Sequence, residues 1–382
     1  MIETIAHIAD IHFRNIQRHN EFRAICENFF DQMKKIKPER IVIAGDIVHS
    51  RNQISPELVS EVSWFLSGCS KAAGKVIIIP GNHDIVEQNK ERMDALTPII
   101  NALDADNIVY YTKSGLYQDE NVVWSVFSIF DNHMSPEQLE MRPFGGLYVG
   151  LYHGTIVGAV NEQGFKFTHG ADTNKFRHCD MVLCGDIHKR QVFMVDETKP
   201  VIMVGSFIQQ NFGESLSGHG FLAWDMDSFK YEAIDIPNEY GYYTLDIDNG
   251  VVPIVSDMPK KPRLRVRLSN TDTADTKKVI TEIKMRYGVD DFTIIRTDSF
   301  NKQKTGNRLS KLDFEDVTDI NHQNTLIRDY VQRMMPFTTT TDLDGLEIIN
   351  RDINSRITQE EVHRNIHWKP IKFTFSNMFS YG

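Results

Sequence analysis

Residues 75–84, Lys75-Val76-Ile77-Ile78-Ile79-Pro80-Gly81-Asn82-His83-Asp84, are the stretch on which the fold turns. The branched apolar run Val76 to Ile79, bounded by turn residues, marks a strand covered on both faces, as in parallel sheets. It stops at Pro80-Gly81, and polar side chains able to hold metal follow at once. Two earlier segments repeat the arrangement. Ile5 to Ala9 leads into Asp10-Ile11-His12, and Arg40 to Ala44 leads into Gly45-Asp46-Ile47-Val48-His49. Between the first two strands, Phe22, Ile25, Cys26, Phe29 and Met33 recur at helical spacing; between the second and third, Leu58, Val62, Phe65 and Leu66 do the same. Strand and helix in alternation predict a layered α/β domain with right-handed crossovers.

Further strands are expected at Val122 to Ser128, Leu147 to Tyr152, Met181 to Cys184, Val201 to Val204 and Phe221 to Asp225. Two of them end in polar clusters, Tyr152-His153-Gly154 and Gly185-Asp186-Ile187-His188. Open α/β sheets build their sites at the carboxyl ends of strands, so these loops should converge. Aspartate, histidine and an asparagine carbonyl together suit manganese, iron or zinc, and no thiolate is involved. The candidates Asp10, His12, Asp46, Asn82, His153, Asp186 and His188 exceed the needs of one ion. Two ions roughly 3.5–4 Å apart, sharing a bridging carboxylate, would use them all. Gly45, Gly81, Gly154 and Gly185 are expected to supply backbone freedom in the tight loops. His7, inside the first strand, reads as a packed histidine rather than a ligand.

The whole chain sets bounds on this reading. Its 382 residues suggest two or three domains, and a net charge of −10 argues only weakly against nucleic-acid partners. No apolar run is long enough to span a bilayer, and Met1-Ile2-Glu3-Thr4 does not open a secretory signal. Cys26, Cys69, Cys179 and Cys184 form no CxxC pair, so reduced thiols and a cytoplasmic location are expected. Composition shifts near residue 258. From Lys260 to Lys311, 14 Lys and Arg stand against 6 Asp and Glu. A strand at Leu264 to Leu268, a helix at Lys277 to Tyr287 and a strand at Phe292 to Arg296 make a small basic α/β module. Arg263, Arg265 and Arg267 share one face of its strand, set either to contact phosphates or to pack on a neighbouring element. Beyond the acidic linker Asp313 to Asp319, Leu326/Tyr330/Val331/Met334 and Leu346/Ile349/Ile353/Ile357 are helical stripes, and Thr358-Gln359-Glu360-Glu361 has the spacing of a helix start.

The series D-x-H, GDxxH, GNHD, H-G and G-x-x-H resembles the calcineurin-like metallophosphoesterase superfamily. Within it, His49, the segments Gly205-Ser206, Asn211-Phe212-Gly213-Glu214 and Gly220-Phe221, and the downstream module order resemble the SbcD-type nuclease subunits of DNA double-strand-break repair. The resemblance implies a four-layer β-sandwich flanked by helices, with a small α/β capping domain and C-terminal helices. It implies nuclease residues 1–257, a basic DNA-binding cap over 258–312, linker and partner-binding helices over 313–369 and a terminal strand over 370–382.

It also implies roles. Asp10, His12 and His188 would hold one divalent ion, Asp46 would bridge, and Asn82, His153 and Asp186 would hold the other, with manganese the expected metal. His83 would be the catalytic histidine, Asp84 would orient it through a hydrogen bond, and His49 would contact the scissile phosphate. Aspartate at 186 departs from the family's G-H-x-H and should make the second shell more anionic. The implied activity is 3′-5′ exonuclease action on duplex DNA and endonuclease action on single strands, by a homodimer working with an SbcC-type SMC-like ATPase. Pro370 to Gly382 resembles the opening strand of such an ATPase head, which implies a longer fused polypeptide; a strand that adds to a sheet edge is the alternative. A phosphodiesterase or phosphatase acting on a small molecule and a catalytically weakened DNA-end-binding scaffold are the competing functions.

Overall fold

The computed structural model describes residues 1–85, 92–131, 140–297, 320–334 and 339–359. Residues 1–297 form one unit, and the described part of 298–382 belongs to a second. The first unit opens with β1 (Thr4–Ile8), α1 (His19–Ile36), β2 (Arg40–Ala44), α2 (Pro56–Ala72), β3 (Lys75–Ile79), α3 (Thr97–Leu103) and β4 (Ile108–Tyr110). β1 to β4 pair in parallel, and the apolar runs predict the first three of them. The antiparallel strands β11 (Gly220–Asp225) and β12 (Lys230–Asp235) extend this sheet beyond β1, in the order β12-β11-β1-β2-β3-β4.

A second six-stranded sheet holds β5 (Gly115–Asp119), β6 (Val122–Phe127), β7 (Leu147–His153), β8 (Met181–Gly185), β9 (Gln191–Met194) and β10 (Pro200–Met203), in the order β5-β6-β7-β8-β10-β9. Period-two alternation decides which face each strand residue serves. Ile41, Ile43, Val76 and Ile78 point to the helices and pack with Phe22, Phe29, Phe65 and Leu66. Val42, Ala44, Ile77 and Ile79 point the other way and meet Trp124, Val149, Leu151, Leu183 and Ile202 of the second sheet. Each fully buried large apolar side chain contributes roughly 1.5–3 kcal/mol. The outer face of the second sheet is covered by Ile156, Ala159 and Phe176, the last from a short 3-10 turn at Thr173–Phe176. Cys26, on the core stripe of α1, is buried and free, as are Cys69, Cys179 and Cys184.

The cap is a parallel three-stranded sheet, β13 (Tyr240–Asp248), β14 (Lys261–Ser269) and β15 (Phe292–Arg296), with α4 (Thr273–Tyr287) packed on it. It begins at Tyr240, not near residue 258, because β13 pairs with β14 along its whole length. Residues 249–260, where the composition shift suggested a boundary, connect two strands of the module. Leu264, Val266 and Leu268 of β14 are buried against α4, so Arg263, Arg265 and Arg267 do lie on the opposite face. Of the expected cap span, residues 298–312 lie outside the described residues, as do the linker Asp313 to Asp319 and the tail from Pro370.

In the second unit, α5 (Ile320–Met334) and α6 (Thr340–Gln359) pair with each other. Polar side chains join them: Asn350 Nδ2 donates to Asn324 Oδ1 at 2.8 Å, and Arg328 binds Asp344 at 2.9 Å. Leu326, Tyr330, Ile349 and Ile353 stay exposed, so among the described residues the apolar stripes do not cover one another. Thr358 and Gln359 fall within the span of α6, and Glu360 and Glu361 of the expected helix start lie outside the described residues. Among the described residues, no helix is long and apolar enough to cross a membrane.

Candidate metal centre

The loops after β1 and β2 are stitched together by their backbones. Asp10 N donates to Gly45 O, and Ile11 N and His12 N donate to Asp46 O, at 2.9–3.2 Å. A bridge between Phe13 and Val48 continues the pairing. The residues at this junction are held in the left-handed region: Asp10 at φ 53°, His12 at 55°, Asp46 at 56° and Asp186 at 102°. Such positions cost about 1–3 kcal/mol each and persist only where the surroundings over-determine them. The sequence expectation assigned that freedom to glycines, but the ligand candidates themselves carry much of it. Gly81 serves clearance instead: a Cβ there would stand 2.1 Å from Asp46 Oδ1.

These loops bring every metal candidate to one place. Asp46 Oδ2 lies 3.6 Å from His12 Nε2, and its Oδ1 lies 3.4 Å from His153 Nε2. One carboxylate thus faces two separate donor groups. On the first side, His12 Nε2 is 3.1 Å from His188 Nε2 and 4.0 Å from Asp10 Oδ1. On the second, His153 Nε2 is 3.1 Å from Asn82 Oδ1 and 4.0 Å from Asp186 Oδ1. Asp186 also accepts from Thr155 Oγ1 at 2.7 Å, and its backbone N–H donates to Asp10.

The donor chemistry fits a pair of cations. His153 Nδ1 donates to the Ala44 carbonyl at 2.7 Å, and His188 Nδ1 donates to Glu214 Oε1 at 2.8 Å. Both Nε2 atoms are thereby freed as ligands, the usual way a neighbour sets a ligating tautomer. His12 Nε2 and His188 Nε2 lie 3.1 Å apart, close enough for both to face one ion or, without it, to share a proton in a hydrogen bond. The amide of Asn82 lies between His153 and Asp46: its NH2 can donate to His153 Nε2 and Asp46 at 3.1–3.2 Å, and beside a bound cation its carbonyl oxygen would face in instead. Protons now do part of that work. Burial opposes a charge on His153, yet Asp46 holds it well above the usual imidazole range. Burial likewise opposes a charge on His188, but Glu214 and Asp10 push it up to about 9. Burial drives Asp10 up to about 7 against the pull of His153 and His188. Divalent ions bound here would supply Lewis acidity and an activated water.

His83 and His49 stand beside the first group. Among the described residues, His12, His49 and His83 place one ring nitrogen each within 4.8 Å of one another. His83 Nδ1 donates to the His49 backbone carbonyl at 2.6 Å, which points Nε2 away from that carbonyl. Asp84 does not orient His83. Its carboxylate accepts from the backbone N–H groups of Asp46, Val48 and Gly81 at 2.9–3.0 Å, a buried clasp between the second and third loops. His83's orienting acceptor is a main-chain oxygen, which no residue pattern advertises. Burial and then Arg14 bring His49 down to about 4, so it is neutral near pH 7 and can donate only through a ring N–H.

Sequence reasoning missed Glu214 and Thr155 as partners of His188 and Asp186. Glu214 stood in a segment noted for resemblance, and its spacing from His188 carries no signal.

Arg263, Arg265 and Arg267 lie on the cap, each with an acceptor in this chain. Arg263 binds Glu21 of α1 at 2.6 Å. Arg265 donates to Thr244 Oγ1 and lies 4.2 Å from the centre of the Phe212 ring. Arg267 grips Asp246 with two hydrogen bonds of 2.6 and 2.7 Å.

Two facing mixed sheets with acidic and imidazole ligands at their carboxyl edge define a dinuclear phosphoesterase fold. The chain belongs to the calcineurin-like phosphoesterase superfamily, whose domain profile matches residues 4–225. Members carry out metal-dependent phosphoester hydrolysis at a dinuclear centre. The chain is similar along its full length to an uncharacterized protein, R555, of Acanthamoeba polyphaga mimivirus, at 32% identity over 403 residues, and spans 29% of that relative's length. Similar solved structures include a dimetal phosphatase from Danio rerio, with 13% identity, TM-score 0.37 and coverage of 58% of this chain and 92% of that one. The nuclease MPE of Pseudomonas putida aligns with 15% identity, TM-score 0.28 and coverage of 52% and 73%. YfcE, a phosphoesterase from E. coli, aligns with 14% identity, TM-score 0.31 and coverage of 60% and 99%.

Proposed function

We propose that this chain is a manganese-dependent DNA nuclease of a break-repair or recombination complex, acting from 3′ ends of duplexes and within single strands. The observation that carries the reading is the placement of Asp46 between two donor groups, with His83 and His49 beside the first. Asp10, His12 and His188 would hold one ion and Asn82, His153 and Asp186 the other, with Asp46 shared between them. An in-line attack needs charge neutralised on both attacking and leaving oxygens, which a pair of divalent ions at this site would supply. His83 protonates or hydrogen-bonds the leaving oxygen, and His49 donates to the scissile phosphate. The exposed stripes of α5 and α6 dock an SbcC-type SMC-like ATPase, and the chain works as a homodimer.

A second reading, a phosphodiesterase for small molecules, is favoured by one observation. The three cap arginines expected to track DNA are engaged by Glu21, Thr244 and Asp246. Digestion of blunt duplex and circular single-stranded DNA in manganese, with bis(p-nitrophenyl) phosphate alongside, decides between the two. Cleavage of both DNAs, with His83→Gln about 10²–10⁴-fold slower and still binding two ions by calorimetry, is the expected result. Turnover of the small ester alone would transfer the assignment to the second reading. Loss of metal from His83→Gln would move His83 into the ligand set.

A further inference from the structure

β13 is the outer strand of the cap sheet, so the polar groups on its free edge need partners from elsewhere. At Tyr242 one side chain supplies both. Gln209 Oε1 accepts from Tyr242 N at 2.7 Å, and Gln209 Nε2 donates to Tyr242 O at 3.1 Å. An amide carries a donor and an acceptor in one plane, so Gln209 stands in for a neighbouring strand. It is only 3% exposed, and it belongs to the loop between β10 and β11, outside the cap. The same loop grips the cap a second time. The Phe212 and Tyr242 rings meet edge-on at 4.9 Å, and the Arg265 guanidinium of β14 lies 4.2 Å from the Phe212 ring centre.

The other end of this loop reaches the metal centre. Gln209 Nε2 also donates to the Glu214 carbonyl at 3.0 Å, which ties the two ends of 209–214 together. The Glu214 carboxylate accepts from Gln210 N at 2.7 Å, from Asn211 Nδ2 at 2.8 Å and from His188 Nδ1 at 2.8 Å. Gln210 Nε2 donates to the carbonyl of Ile11, the residue between Asp10 and His12, at 3.1 Å. One short loop is thus fastened to the cap on one side and to the first donor group on the other. The second group is anchored elsewhere, His153 on Ala44 O and Asp186 on Thr155 Oγ1, and among the described residues it receives no hydrogen bond from 209–214. Hydrogen bonds weaken steeply with distance and angle, so the aim of Glu214 at His188 depends on where β13 sits. We propose that Gln209 is a positioning residue that ties the seating of the cap, through Glu214, to the ion of Asp10, His12 and His188. The proposal rests on those three as ligands, and it holds for either substrate class.

The test is a calorimetric titration of the full chain with manganese. Gln209→Met keeps the length of the side chain and removes both amide atoms. It should weaken one of two tight sites about tenfold and leave the other unchanged. The manganese concentration at half-maximal hydrolysis of bis(p-nitrophenyl) phosphate should rise in step, with a smaller change in kcat at saturating metal. Combined with Glu214→Gln, Gln209→Met should add little, because both act on His188 by one route. Arg265→Met, a change confined to the cap, should weaken the same site to a lesser degree. Intact affinity at both sites in Gln209→Met, or a loss that adds in full to that of Glu214→Gln, would overturn the proposal. Should thermal melting show that Gln209→Met does not fold, Arg265→Met decides, and unchanged affinity at both sites would overturn it equally. A His188→Ala variant that keeps both tight sites would instead defeat the ligand assignment on which the proposal rests.

Discussion

At the carboxyl edge of the two large sheets, Asp10, Asp46 and Asp186 face His12, His153 and His188, and among the described residues no lysine or arginine pairs with any of them. On the cap, Arg263, Arg265 and Arg267 each have an acceptor at hydrogen-bond distance. Asp10, His12, Asp46 and His153 are 0–2% exposed, whereas the side chains of Arg267 and Asp246 are 44% and 65% exposed. The contrast separates two uses of charge. Buried carboxylates that point at one another are unstable alone and make a demand for cations. The exposed Arg267, paired across the sheet with Asp246, makes no such demand.

Removing the shared carboxylate should break the contrast most severely. Asp46→Asn leaves both donor groups without their common charge and should lower kcat on any phosphodiester by at least about a thousandfold, several kcal/mol of transition-state stabilisation. Calorimetric titration should show the loss of at least one tight metal site. A variant that keeps two tight sites would mean that Asp46 does not bridge.

Glu214→Gln tests the same region more gently. The amide still fills the space beside His188 Nδ1 but removes the charge that holds the ring. Metal affinity should fall about 10–100-fold, measured as the manganese concentration at half-maximal activity. An unchanged value would show that His188 needs no outer partner.

The cap should respond least, and unequally. Arg267→Met removes an exposed pair and should shift stability by no more than about 1 kcal/mol. Arg263→Met leaves Glu21 buried with Arg18 as its remaining arginine and should be more destabilising by thermal melting. If Arg267→Met instead weakens DNA binding strongly at low salt and little at high salt, the cap arginines are phosphate contacts after all, and the Asp246 pair is exchanged on binding.

Much of the first unit was legible because its strands are buried on both faces. Val76 to Ile79 and Arg40 to Ala44 can hardly be anything else, and a parallel strand must deliver its next residues to the sheet's carboxyl edge. That is why metal candidates from loops as far apart as Asp10 and His188 could be gathered from the sequence. Short or exposed strands left no such mark. β12, with Glu232 and Asp235 facing water, and the three-residue β4 are defined by their neighbours' hydrogen bonds. β13 escaped notice as part of the cap because pairing with β14, not its own pattern, assigns it there.

The residue types and their positions at strand ends determined the superfamily, the expectation of two ions and the identity of the ligand candidates. Side-chain chemistry at a forced location can be read without coordinates. Only the tertiary structure decided who serves whom. Asp84 clasps three backbone N–H groups while the carbonyl of His49 receives His83. Glu214 holds His188. Those roles depend on distances of about 3 Å between loops far apart in the chain, and hydrogen bonds fall off too steeply with distance and angle for residue order to encode them.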